Sequence, residues 1–193
     1  MNSFLRLARI AVFTVSLLFM AGCDNHIIAA EQKVNLALGN LQSQYQRRSD
    51  LVPNLVETVK ASATQERATL EAVIQARATA TQTRIEPGDL SDPAKFEAFQ
   101  RAQGQLAASL RQLLVVSEQY PDLKASQGFR DLQIQLEGTE NRIARAREEF
   151  NQSVAFFNTT ILSFPSRLVA GGRQPKQVFQ AEPDASTSPK VKF

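Results

Sequence analysis

The sequence predicts an all-α fold: an elongated up-and-down antiparallel bundle of three to four long helices, followed by an irregular C-terminal tail. Three observations carry this expectation. Proline is absent from residues 54–86, 94–120 and 122–164. An interior proline costs a helix about 3 kcal/mol, so long helices fit these windows. Within them apolar residues recur at steps of three and four, the spacing of one helix face. Strand-like alternation with Gly-rich turns is nowhere evident.

The first helical region starts near Asp24 and runs to about Arg84. Its stripe is Ile27, Ala30, Val34, Leu38, Leu41, Tyr45, Arg48, Val52, Leu55, Val59 and Ser62, with Val73, Ala76 and Ala80 on the same face later. The rhythm is close to a heptad. Pro53 interrupts it. Asp50 is a candidate cap with Pro53 in the first turn of a second segment, so a kink or break is expected near Ser49 to Pro53. Pro87-Gly88-Asp89 is a turn signal. Asp92-Pro93 reads as an N-cap followed by proline at the first helical position. Phe96, Phe99, Gln103, Leu106, Leu110 and Leu113 form the next stripe, closed by Tyr120-Pro121.

The last long helix begins near Ser126. Phe129, Leu132, Leu136, Thr139, Ile143, Ala146, Phe150, Val154, Phe157 and Ile161 mark one face, and Pro165 ends it. Such a helix of about 36 residues is about 54 Å long. Amphipathic helices gain most of their stability from packing, so the stripes need one another. Phe96, Phe99, Phe129, Phe150 and Phe157 are expected in the core. Gly39, Gly104 and Gly138 are expected at close backbone contacts. After Leu168, Gly171, Gly172, Pro175, Pro183 and Pro189 mark a tail; Val178-Phe179 is expected to dock on the bundle and Ala181 to Lys192 to be mobile.

The N-terminus reads as an address. Arg6 and Arg9 precede an eleven-residue apolar run, Ile10 to Met20, then Ala21, Gly22 and Cys23. This is the order of a secretory signal peptide. Met20-Ala21-Gly22-Cys23 resembles a bacterial lipobox, with cleavage before a lipidated Cys23. The run is only about 16 Å long as a helix, against a bilayer core of about 30 Å. A retained signal anchor is the alternative. The expected organisation is a signal peptide at 1–22, a bundle at 23–167 and a tail at 168–193. Asp24 after the Cys resembles an inner-membrane retention signal, which slightly favours the inner membrane.

Composition excludes several classes. The chain has one Cys, one His and no Trp, which rules out disulfide frameworks and two-His metal motifs. G-x-S-x-G, P-loop and G-x-G-x-x-G signatures are absent. Formal charge is +3, from 22 Lys+Arg against 19 Asp+Glu. Losing Arg6 and Arg9 with the signal leaves 20 against 19, so nucleic-acid binding has little support. His26 is expected to be exposed near the membrane, and Glu148 and Glu149 to be solvated. No cofactor is expected.

Two polar motifs lie where a seam should be apolar. Arg48 falls on the first stripe, and Glu140, Asn141 and Arg142 follow Thr139 on the last. Arg48 or Asp50 is expected to pair with Glu140 or Arg142 across the core, fixing register. These stretches also carry a resemblance. Gln46-Arg47-Arg48-Ser49-Asp50-Leu51-Val52-Pro53-Asn54-Leu55-Val56-Glu57-Thr58-Val59-Lys60 strongly resembles the signature of the bacterial LemA family. So do Thr139-Glu140-Asn141-Arg142-Ile143-Ala144-Arg145-Ala146-Arg147, Phe150-Asn151, Phe157-Asn158, Phe164-Pro165 and Pro189-Lys190-Val191-Lys192-Phe193. The resemblance covers about residues 30–193. It implies a helical bundle outside the cytoplasmic membrane, with no established catalytic activity. Family members usually carry one N-terminal membrane segment; the lipobox-like stretch departs from that. Members are linked with envelope functions, and one branch belongs to magnetosome membranes.

The functional expectation is a non-enzymatic scaffold or interaction protein of the cell envelope. It would be tethered to lipid through Cys23 and contact envelope proteins. Its long seams are also available for self-association. The alternative is an adaptor or regulator of an envelope enzyme such as a membrane protease. A cryptic hydrolase finds no visible nucleophile–base pair.

Overall fold

A computed structural model of the chain describes the backbone over residues 2–62 and 66–180, with side chains over 24–61 and 66–180. Five α-helices occur among the described residues: α1 Asn2–Ser62, α2 Arg67–Gln82, α3 Pro93–Ser117, α4 Pro121–Ala125 and α5 Gln127–Leu162. Strands are absent from them. The expected signal peptide and the side chain of Cys23 lie outside the described side chains, and Ala181 to Lys192 lies outside the described residues altogether.

The long helices alternate in direction. Asn40 on α1 faces Glu149 on α5, and Arg48 faces Glu140, so the pair runs antiparallel. Ser49 on α1 meets Thr81 at the far end of α2, so α2 folds back along α1. Gln103 on α3 reaches both Ala80 and Arg48. Burial follows the stripes. From Ile27 to Val59, the named stripe residues of α1 are all buried, as are Phe96 to Leu113 of the α3 stripe. On α5 every stripe residue is buried except Leu132, which is half-buried. The five core phenylalanines are all buried.

The core divides at the level of Arg48. In the near half, which holds Asp24, Ile27 to Tyr45 pack with Phe96, Phe99 and Ile143 to Ile161. In the far half, Val52 to Val59 pack with α2, the later part of α3, Leu123, Phe129 and Leu136. Four long helices and the short α4 surround the far half. The near half lacks α2, and residues 83–92 and 169–180 cover it instead. There Ile85, Leu90, Ala170 and Phe179 join the core.

Helix boundaries follow local chemistry. The Asp92 carboxylate accepts from the amides of Ala94 and Lys95 at 3.0 and 3.2 Å, capping α3 ahead of Pro93. Ser126 caps α5 through the Phe129 amide at 3.4 Å.

Three expectations need correction. First, of the kink or break expected near Ser49 to Pro53, the break does not occur. α1 continues through Pro53 to Ser62, and the reversal comes before Arg67. Proline removes the donor that would serve the carbonyl four residues back, here that of Ser49. The Arg77 guanidinium of α2 donates to that carbonyl instead, Nε to O at 2.8 Å. The orphaned acceptor is satisfied from a neighbouring helix, so the helix need not end. Second, the helical glycines do not mark close backbone contacts. A Cβ on Gly39 or Gly104 would meet nothing within 4 Å, and one on Gly138 would meet only the Arg142 guanidinium at 3.6 Å. Third, of the Val178-Phe179 pair only Phe179 docks; Val178 is exposed.

Candidate functional site

The two signature stretches meet at one buried polar node. Arg48 is fully buried (0% exposed). Its Nη1 donates to Glu140 Oε1 at 3.1 Å. Its Nη2 donates to the Gln103 side-chain oxygen at 2.7 Å and to the Gln103 carbonyl at 3.0 Å. Gln103 in turn donates to the Ala80 carbonyl at 3.2 Å. One guanidinium level therefore ties α1, α2, α3 and α5 together. The planar fork suits this: its separate N–H vectors reach different helices at once. Arg48 Nε has no hydrogen-bond partner.

An aromatic shelf borders the node. The Arg48 guanidinium lies 5.2 Å from the Tyr45 ring centroid, and Tyr45 packs edge-on against Phe99. Arg147 Nε donates to the Tyr45 hydroxyl at 2.8 Å and its guanidinium lies over Phe179. Burial pushes the Tyr45 phenol above its ordinary pKa, against the opposing pull of Arg147 and Arg48.

The remaining named residues sit elsewhere. Asp50 is exposed and accepts from Gln46 at 2.7 Å, within one turn. Asn141 and Arg142 face solvent. Arg48 and Glu140 come together; Asp50, Asn141 and Arg142 do not join them. Glu148 and Glu149 are exposed. His26 is also exposed and meets the Phe156 ring edge-on.

Beside the node opens a cleft of about 880 Å³, lined among others by Gln42, Gln46, Ser49, Thr81, Arg84 and Gln103. Its wall mixes apolar side chains such as Ile85 and Phe99 with amides, hydroxyls and the charged Arg47, Asp50, Arg84 and Glu86. Among the described residues, no group of three His, Cys, Asp or Glu side chains is placed to hold a metal.

A second arrangement escaped the sequence reading. Residues 173–180 run extended along α5 and are held by two asparagines. Asn158 donates to the Lys176 carbonyl at 2.9 Å and accepts from its amide at 2.8 Å. Asn151 does the same for Phe179, at 2.9 and 2.8 Å. The Phe-Asn pairs at 150–151 and 157–158 thus act as a unit. Each Phe fills the core, and the next residue clamps the strap. The signal was the seven-residue repeat of that dipeptide. Lys176 and Arg173 also pair with Glu31, at 3.1 and 3.5 Å, and Arg173 reaches Asp24 at 3.5 Å.

The sequence model of the LemA family matches residues 37–193, spanning both halves of the node and the strap. The chain belongs to the LemA family. Its relatives include Magnetosome protein MamQ of Magnetospirillum gryphiswaldense, 34% identical over 76 residues, which is 39% of this chain and 28% of the relative. MamQ 1 and MamQ 2 of Paramagnetospirillum magneticum are each 29% identical over 100 residues, 51% of this chain and 37% of theirs. The chain thus spans under two fifths of the curated relatives it matches.

Proposed function

We propose that this LemA family protein is a non-enzymatic scaffold of the bacterial envelope. It is tethered to a membrane by its N-terminus and offers the sides of its bundle to protein partners. The observation that carries this reading is the continuity of α1. One helix runs from Asn2 to Ser62, from the apolar run at residues 10–20 through the whole bundle. Whether the membrane holds acyl chains on Cys23 or the apolar run itself, the attachment enters along the axis of a core helix. No flexible linker intervenes, so the bundle stands in a fixed orientation. Among the described residues no helix is long and apolar enough to cross a membrane. The Arg48 node supports the same reading: its two terminal nitrogens cross-link helices, which stiffens the rod.

A test in cells labels wild type and Cys23→Ala with a fatty acid and crosslinks partners from exposed positions on α1. Recovery of the wild type in membranes, with one envelope protein enriched, supports the scaffold. A protein free of membranes in both forms refutes it. The cleft beside the node favours a second reading, an adaptor that grips a segment of an envelope enzyme such as a membrane protease. Deletion would then change turnover of that enzyme's substrate, which a passive scaffold would not do.

A further inference from the structure

We propose that the turn after α5, residues 162–168, is a second membrane contact that seats the near end of the bundle in the lipid interface. Three large apolar side chains project from these seven residues: Leu162 is 62% exposed, Phe164 76% and Leu168 64%. Other exposed apolar side chains, such as Leu36, Ile74, Val115 and Ile134, are scattered along the rod. Isolated ones are normal on protein surfaces, whereas a cluster marks a contact.

The position of the turn identifies the occupant. Extending the antiparallel register of Asn40–Glu149 and Arg48–Glu140 puts Phe164 level with Asp24. The short 3₁₀ turn Ser166–Leu168 touches α1, and Arg173 just beyond it pairs with Asp24. Asp24 directly follows Cys23, and the apolar run lies N-terminal to that. A bilayer holding the N-terminal segment therefore begins at the level of this turn. The charge fits as well: residues 162–168 contain Arg167 and no acid. Apolar side chains interleaved with a cation suit the boundary between acyl chains and anionic headgroups, where such elements sink about 5–10 Å. With the N-terminus fixed at one point and the turn at another, the rod could not swivel about its tether.

This inference rests on the tethered reading, and the experiment separates the two. The chain contains no Trp, so Phe164→Trp and, separately, Val115→Trp near the C-terminal end of α3 each introduce a single reporter. Both are exposed positions, and circular dichroism checks that the helices persist. The full chain, purified with its membrane attachment, is reconstituted into phosphatidylethanolamine–phosphatidylglycerol vesicles with and without brominated acyl chains. The expected result is co-flotation with vesicles, blue-shifted emission at position 164 and several-fold quenching there by bromolipid. Position 115 stays solvent-like and unquenched. Flotation with equal, solvent-like emission at both positions overturns the second contact and leaves the tether standing. A blue shift at 164 without bromolipid quenching also overturns it, because another copy of the chain then covers the turn. Failure to float overturns both.

Discussion

Removing the charge of Glu140 leaves Arg48 as a fully buried cation without an anion. Breaking a buried pair from one side costs about 3–5 kcal/mol. Glu140 keeps 40% of its side-chain surface in water, so its own desolvation is modest and the lower end applies. Glu140→Gln should therefore destabilise the bundle by about 3 kcal/mol. Arg48→Met keeps most of the volume and lets Glu140 return to water. It strips two hydrogen bonds from Gln103; the carbonyl keeps its place in the α3 ladder, and leaving the buried side-chain oxygen unpaired costs about 2 kcal/mol. Once Arg48 is gone, Glu140 has no buried cation to serve. The double variant should match Arg48→Met alone rather than the sum of about 5 kcal/mol.

Urea unfolding, followed by the helical signal at fixed pH and salt, measures the three differences. Independent sites add to within about 0.5 kcal/mol. Additivity at that level would refute the idea that the node acts as one charged unit. A Glu140→Gln variant as stable as wild type would refute it too.

Other predictions follow from the same geometry. Arg77→Met should lower stability by about 1–3 kcal/mol by orphaning the Ser49 carbonyl; adding Pro53→Ala, which restores an amide at position 53, should recover most of that loss in the same unfolding assay. Gly39→Ala should stabilise by about 1 kcal/mol, because the helix gains propensity and the new methyl meets open space. Asn151→Ala with Asn158→Ala should release the strap, read as faster protease cleavage between residues 170 and 180 while the helical signal persists. The folded state holds the Tyr45 proton more tightly than the unfolded chain, whose phenol titrates near 10.0. The associated stability is complete below pH 10.0 and is lost as pH rises through the folded value, and Tyr45→Phe should flatten that alkaline decline.

The elements were legible in the sequence where burial is periodic. Ile27 through Val59 and Phe129 through Ile161 each keep one face against the core for many turns, and a 3.6-residue period displays this directly. The reversal between α1 and α2 was not legible. Val73, Ala76 and Ala80 continue the phase of the earlier stripe, although the chain has turned back on itself. Periodicity records which face is apolar, not which way the helix runs. Residues 61–66 hold neither Pro nor Gly to mark the turn. Pro53 misled for the opposite reason: its effect depends on Arg77, a residue on another helix. Within the node, a charged residue on an apolar stripe drew attention to Arg48. Gln103 was placed on its stripe without a role, because a lone amide on a helix face gives no sign of what it meets. Asp50, Asn141 and Arg142 adjoin the polar stretches in sequence, yet the helical turn directs them to solvent.

The two halves of the rod are held by different means. The far half is closed by four long helices whose apolar stripes meet one another. The near half has only α1, α5 and the start of α3, so its open side depends on residues 83–92 and on an extended segment with little apolar surface of its own. That segment is fixed by backbone pairing to Asn151 and Asn158, by Phe179 inserted against Phe96 and Phe150, and by ion pairs to Asp24 and Glu31. The Arg173 pairs are partly exposed and contribute little, so Phe179, the two amide clamps and the buried Lys176–Glu31 pair hold the strap, beside Ile85 and Leu90 from residues 83–92. A helix pair covered by such a strap opens locally at lower free energy than a closed four-helix core. The proposed tether enters at this same end. The part of the rod nearest the membrane is therefore the part that can yield, while the Arg48 node isolates the far half from that opening.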